Sequence, residues 1–146
     1  MPKAIQVYEV GNPDVMKWED FDPGSPGEDQ VLVRHTMVGL NFIDVYFRKG
    51  VYPAPGFPFV PGLEGTGVVE QIGSGVSDLS VGDRVAYASP PLGAYAEFRL
   101  MPADRLIKMP DAIDDATAAA MMLKGLTTQY LLRLSLIHIS EPTRPY

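Results

Sequence analysis

Five glycines fall within the sixteen residues Pro61–Val76, "PGLEGTGVVEQIGSGV". Glycine-rich turns let backbone N–H groups approach a nucleotide phosphate, so the stretch raises the question of dinucleotide binding. That chemistry needs G-x-G-x-x-G between a strand and the N-terminus of a helix. In "GTGVVE" Glu70 stands where the third glycine belongs, and in "GSGVSD" Asp78 does. Neither run continues into a useful length of helical pattern. Gly65 and Gly67 instead head a β-branched run, where glycine permits a bend or bulge. The stretch reads as punctuation of a fold whose chemistry lies elsewhere.

Other chemistry is narrowed by residue type. The chain has no cysteine, which removes disulfides, thiolate metal ligands and cysteine nucleophiles together. His35 sits in an alternating strand and reads as a satisfied histidine rather than a ligand. Asn41 carries both a donor and an acceptor and also suits a helix N-cap, and the two roles are compatible. Lys124 has the charge to meet a phosphate, although a lone lysine more commonly faces water.

The elements that must position these residues are short. "KAIQVYEV" (Lys3–Val10) reads as a strand, with "MKWEDF" (Met16–Phe21) as its hairpin partner. "QVLVRHTMVGL" (Gln30–Leu40) is the longest clean strand, and "NFIDVYFRKG" (Asn41–Gly50) has the cap and the Arg-Lys-Gly ending of a short helix. The four prolines of Val51–Gly62 demand an irregular loop. Strands follow at Gly65–Gly73, Arg84–Ala88, Ala94–Met101 and Arg105–Met109. From Asp114 the period turns helical, and "DDATAAAMML" and "GLTTQYLLRL" predict two helices.

Composition agrees with one β-rich domain. The chain of 146 residues is 46% hydrophobic and 21% charged, with 14 glycines and 14 prolines breaking it into short pieces. A net charge of −6 argues against a nucleic-acid partner. No run reaches the roughly 18 apolar residues of a membrane span, and the start lacks a signal-peptide core. The expectation is a cytoplasmic protein with no membrane partner.

Five motifs in register give a resemblance: "GLNFIDVYFRKGVYP" (Gly39–Pro53), "PGLEGTGVVEQIGSGV", "VGDRV" (Val81–Val85), "GAYAEF" (Gly93–Phe98) and "LKGLTTQYLL" (Leu123–Leu132). Their order resembles the NADPH-dependent quinone oxidoreductases of the medium-chain dehydrogenase/reductase superfamily, over roughly Met1 to Arg133. The resemblance implies a mainly β fold with C-terminal helices. Residues 1–133 would form a GroES-like, partly open β-barrel with the start of the helix leading to a Rossmann domain, which is missing here. It also implies NADPH as cofactor, held between the two domains, and a homodimer for the full-length protein.

Zinc alcohol dehydrogenases share that barrel and carry C-H-x-D and G-H-E, where this chain reads "NFID" and "GLE". Asn41 thus replaces a ligating cysteine and Leu63 a ligating histidine. Catalytic zinc takes three protein ligands and an open position, and only Asp44 and Glu64 survive from that set, so no metal is expected. Quinone reduction does without one, because the ring is already electrophilic. By the resemblance, Asn41, Tyr46 and Tyr52 serve catalysis. Phe42, Ile43, Asp44, Val45, Tyr46, Thr127 and Tyr130 border the cofactor. By type alone Tyr46 also suits a core, Tyr52 a loop anchor and Tyr130 an apolar helix face.

Two further readings stand beside quinone reduction. One is a reductase of enones or enoyl thioesters on the same fold, and the other is a non-catalytic GroES-like interaction module. Residues 134–146, "LSLIHISEPTRPY", leave the family pattern and resemble the in-frame translation of a transposase-type sequencing-library adapter. That implies a non-native tail, in which Pro142 and Pro145 break any helix. Because the family draws most cofactor contacts from the Rossmann domain, the resemblance also implies a fragment inactive on its own.

Overall fold

A computed structural model describes residues 1–135. The tail expected from Leu134 lies outside the described residues from position 136 onward. Among the described residues seven strands appear: β1 (Lys3–Val7), β2 (Met16–Asp20), β3 (Gln30–Gly39), β4 (Glu64–Ile72), β5 (Arg84–Ala88), β6 (Phe98–Pro102) and β7 (Ile107–Lys108). Helix α1 (Phe42–Arg48) follows β3. Helix α2 (Asp115–Tyr130) follows β7 and runs into a π-helical turn at Leu131–Ser135. No helix among the described residues is long and apolar enough to cross a membrane.

Five strands pair antiparallel in the order β6-β3-β4-β5-β7, and β1 and β2 form a separate hairpin. The hairpin closes one side of the sheet. Ile5 N–H donates to the Tyr95 carbonyl at 2.8 Å, Glu97 N–H to the Lys3 carbonyl at 2.9 Å, and Val7 and Phe59 exchange bonds of 2.9 and 3.0 Å. At the other edge β7 pairs with β5 over only two residues. The outcome is a partly open β-barrel of GroES-like form, as the resemblance implied.

Period-two alternation fills the barrel. Val31 and Val33 of β3, Val69 of β4, Val85 and Tyr87 of β5 and Met101 of β6 meet in one buried cluster. Each such side chain contributes about 1.5–3 kcal/mol on burial. The glycines at the head of β4 are there for clearance. The β3–β4 register shifts between Leu32 and Val33 and again between His35 and Met37. A Cβ on Gly67 would run into the Arg34 carbonyl, and one on Gly65 would sit 2.9 Å from the Tyr87 hydroxyl. The bend expected at this stretch is present, and it serves packing.

Some boundaries differ from the sequence expectation. β1 ends at Val7, and β6 begins at Phe98, because Tyr95 and Glu97 spend their backbone groups on β1. The two helices expected after Asp114 are one. Gly125 costs a helix only about 1 kcal/mol relative to alanine, and the backbone ladder passes straight through it. Asp114 caps α2 by accepting the Thr117 N–H at 2.7 Å, and Arg84 of β5 holds Asp115 and the Ile113 carbonyl. The helix seats the buried Ala118 and Ala119 against the sheet.

Candidate active site

Asn41 is the N-cap of α1, with extended backbone at φ −128° and ψ 151°. Asp44, three residues on, accepts the Asn41 N–H at 3.0 Å, so the turn is fastened by its own side chain. The helix ends in Arg48, Lys49 and Gly50, the last at φ +74°, the left-handed turn for which glycine is suited.

The Asn41 side chain is tied down as well. Its Nδ2 donates to Glu64 Oε2 at 2.6 Å, and the other oxygen, Oε1, accepts the Leu123 N–H at 2.7 Å. Glu64 has no exposed surface and Asn41 is 6% exposed. One buried carboxylate therefore joins the cap of α1, the first residue of β4 and the middle of α2. Asp44 does parallel work, since its Oδ2 also accepts the Tyr95 hydroxyl at 2.8 Å while its buried Oδ1 has no partner among the described residues. Burial pushes the Asp44 pKa above the usual carboxylate range, against the opposing pull of the Asn41 N–H and the Tyr95 hydroxyl. Burial, with Asp44 beside it, raises Tyr95 too.

His35 is fully occupied. Nδ1 bonds the Ala96 carbonyl and Nε2 the Tyr87 hydroxyl, at 2.5 and 2.7 Å. Nδ1 must donate to a carbonyl, so Nε2 accepts, which fixes the neutral tautomer. Burial lowers the pKa of His35 to about 4.

Phe42, 71% exposed, meets Tyr46 edge-on at 5.2 Å between ring centroids. Tyr46 meets Tyr52 at 5.3 Å, and Phe47 meets Tyr52 at 5.6 Å. An aromatic ledge thus stands on one side of α1. Ile43 and Phe47 instead line a cleft of about 760 Å³ shared with Leu63 and the proline-rich loop. Asp44, Val45 and Arg48 line a smaller cavity of about 210 Å³.

The structure thus gathers Asn41, Phe42, Ile43, Asp44, Val45, Tyr46 and Tyr52 around one short helix. Thr127 and Tyr130 stay on α2. The Thr127 hydroxyl returns to the Leu123 carbonyl of its own helix at 2.8 Å, and Tyr130 is 57% exposed. Among the described residues no three His, Asp or Glu side chains cluster as metal ligands. Sequence reasoning missed Tyr95 and Arg99, both reaching inward from the "GAYAEFRLM" segment. Arg99 shares its parity with the fully buried Met101, and that alternation was the signal available.

Residues 27–111 match the model of the alcohol dehydrogenase GroES-like domain. The chain is similar to a quinone oxidoreductase of Pseudomonas aeruginosa, 54% identical over 133 residues, which covers 91% of this chain and 41% of that protein. It is also similar to a 2-haloacrylate reductase of Burkholderia sp, 47% identical over 138 residues, covering 90% and 41%. Among solved structures, Escherichia coli quinone oxidoreductase complexed with NADPH superposes with a TM-score of 0.89 at 42% identity, over 91% of this chain and 41% of that one. The chain spans about two fifths of the length of the curated relatives it matches.

Proposed function

The chain belongs to the alcohol dehydrogenase GroES-like domain family, and on that premise we propose that it is the catalytic-domain part of an NADPH:quinone oxidoreductase that works without zinc. The observation that carries this reading is the close likeness to quinone oxidoreductases across nearly the whole chain, α1 included. In this reading the full-length protein is a cytoplasmic homodimer acting on small molecules.

The residues present suit the nicotinamide end of such a cofactor. The exposed ring of Phe42, set edge-on to Tyr46, offers an apolar surface to a flat group, beside a polar residue held by Glu64. NADPH, when bound, supplies the hydride. Asn41 positions a carbonyl group by hydrogen bonding, and Asp44 and Glu64 keep the Asn41 turn in place. Ile43, Phe47 and Leu63 keep water out of the cleft where the ring of the acceptor lies. A quinone that has taken a hydride is a hydroquinone anion, and its oxygen takes one proton from the Tyr52 hydroxyl or from water. The carboxyl of Asp44 is engaged by the Asn41 N–H and the Tyr95 hydroxyl.

The test uses the full-length protein, with NADPH oxidation followed against several simple quinones and several enones. Quinone turnover with loss of rate in Asn41→Ala is the expected result. No oxidation with any quinone, together with ready reduction of enones, would favour the second reading, an activated-alkene reductase. That alternative has one observation behind it, the likeness to 2-haloacrylate reductase. The 146-residue chain alone is inactive in the leading reading. Its ledge and Asn41 reach only one end of the cofactor, which falls short of an association cost of at least several kcal/mol. Saturable micromolar heat on titrating NADPH into it would overturn this.

A further inference from the structure

Arg99 has no role in the redox chemistry proposed above. It is 4% exposed and points inward from β6. Its guanidinium packs over the Tyr87 ring, 4.8 Å from the centroid, and Nη2 donates to the Pro91 and Leu92 carbonyls at 3.0 and 3.3 Å. Nη1 is buried without a partner, and no ion pair is formed by Arg99 among the described residues. A buried cation that lacks an anion is costly, and carbonyl dipoles and one ring face compensate it only in part. Glu64, the carboxylate with no exposed surface, is already committed to Asn41 and Leu123.

Arg99 also lines the 760 Å³ cleft behind α1, and among the described residues it is the one charged side chain lining it. The remaining walls are apolar apart from Gln6, with Ile43, Phe47, Phe59 and Leu92 among them. The volume suits a small organic ligand. From the unpaired guanidinium and the apolar walls we infer that this cleft binds an organic carboxylate on a flat apolar body, one carboxylate oxygen accepting from Arg99 Nη1. A charge-assisted bond of this kind is about twice as strong as a neutral one. Nη1 has no accessible surface, so its surroundings must yield for the oxygen to reach it. This names the substrate class of the redox site proposed above, and it rests on that reading only in taking the bound anion for a substrate.

The binding is tested on the 146-residue chain without cofactor. The nitrogen-15-labelled protein is titrated with sodium benzoate and with methyl benzoate at fixed ionic strength. The amides of Leu92, Gly93 and Leu100 and the Nε–H of Arg99 are followed. Saturable shifts with benzoate, and at least tenfold weaker binding of the neutral ester, are expected. Arg99→Met should remove that preference while the spectrum stays dispersed. Should that variant fail to fold, Leu92→Trp, which fills the cleft and keeps the charge, must weaken benzoate at least tenfold. Equal binding of acid and ester, no saturable shift with either, or undiminished benzoate binding in Leu92→Trp overturns the inference. Turnover of neutral quinones by the full-length protein bears on the redox reading alone, so the two fail separately.

Discussion

Removing the Asn41 amide takes away one of the two donors that Glu64 has in a site with no access to water. Asn41→Ala therefore destabilises as well as slowing any reaction, by about 1–3 kcal/mol, the cost of an unmet buried polar group. A fall in the urea midpoint at unchanged slope is the expected result, and an unchanged midpoint would show that the bond is not made in solution. From sequence alone this cost is not visible, because Asn41 reads as a helix cap and polar contact while its Glu64 partner lies 23 residues away. His35 gives a pH-dependent counterpart. Its folded pKa, about 4, lies below the value near 6.5 of an unfolded chain. The unfolded state then binds more protons between those values, so stability is full above pH 6.5 and is lost as pH falls toward 4. The depression corresponds to roughly 3 kcal/mol at 1.36 kcal/mol per unit. Urea midpoints at pH 7 and pH 4.5 should converge for His35→Gln relative to the wild type, since carboxylates titrate alike in both. An equal drop in both proteins would mean that His35 takes up a proton freely.

Helix α2 shows where reading the sequence succeeds and where it stops. Its start at Asp114 was legible from the change to a helical period, and α1 was legible from its Asn41 cap and Arg-Lys-Gly ending. Its continuity was not, because Gly125 lowers helix propensity without saying whether tertiary contacts override it. The strands of the barrel were legible from alternation, but the segment before β6 was not, since its hydrogen bonds go to β1, far away in sequence. Arg99 was missed because a charged residue in a strand reads as facing water, although its parity with Met101 pointed inward. The Gly125 position can be improved. A Cβ there meets nothing within 4 Å, and α2 has helical backbone at that point, so Gly125→Ala should stabilise by about 1 kcal/mol. Thermal unfolding would show a Tm rise of a few degrees, whereas a fall would place a break in the helix at that residue.

At the scale of the molecule, α2 buries Ala118 and Ala119 and leaves Met121, Leu126 and Tyr130 each about half exposed. Leu126, Tyr130 and, in the π-helical turn, Leu134 follow at intervals of four and form an apolar strip, with Leu131 and Leu132 also exposed beyond the end of α2. Such a strip on an otherwise polar surface invites contact. The net charge of −6 opposes self-association at low salt. The chain should therefore self-associate more strongly as salt screens that repulsion. Sedimentation velocity at low and high salt, with the wild type and a Leu126→Lys, Tyr130→Lys variant, checks this. The variant should stay monomeric throughout, and association unaffected by those two changes would locate the contact elsewhere.

The link from Glu64 to the Leu123 N–H has a consequence for observation. A backbone amide held at 2.7 Å by a carboxylate should resonate well downfield of ordinary helical amides and exchange with solvent only when α2 lifts from the sheet. Because the other oxygen of that carboxylate holds Asn41, a molecule arriving at Asn41 perturbs the same proton without touching it. Leu123 thus carries a built-in spectroscopic reporter of the site, readable before any substrate is known.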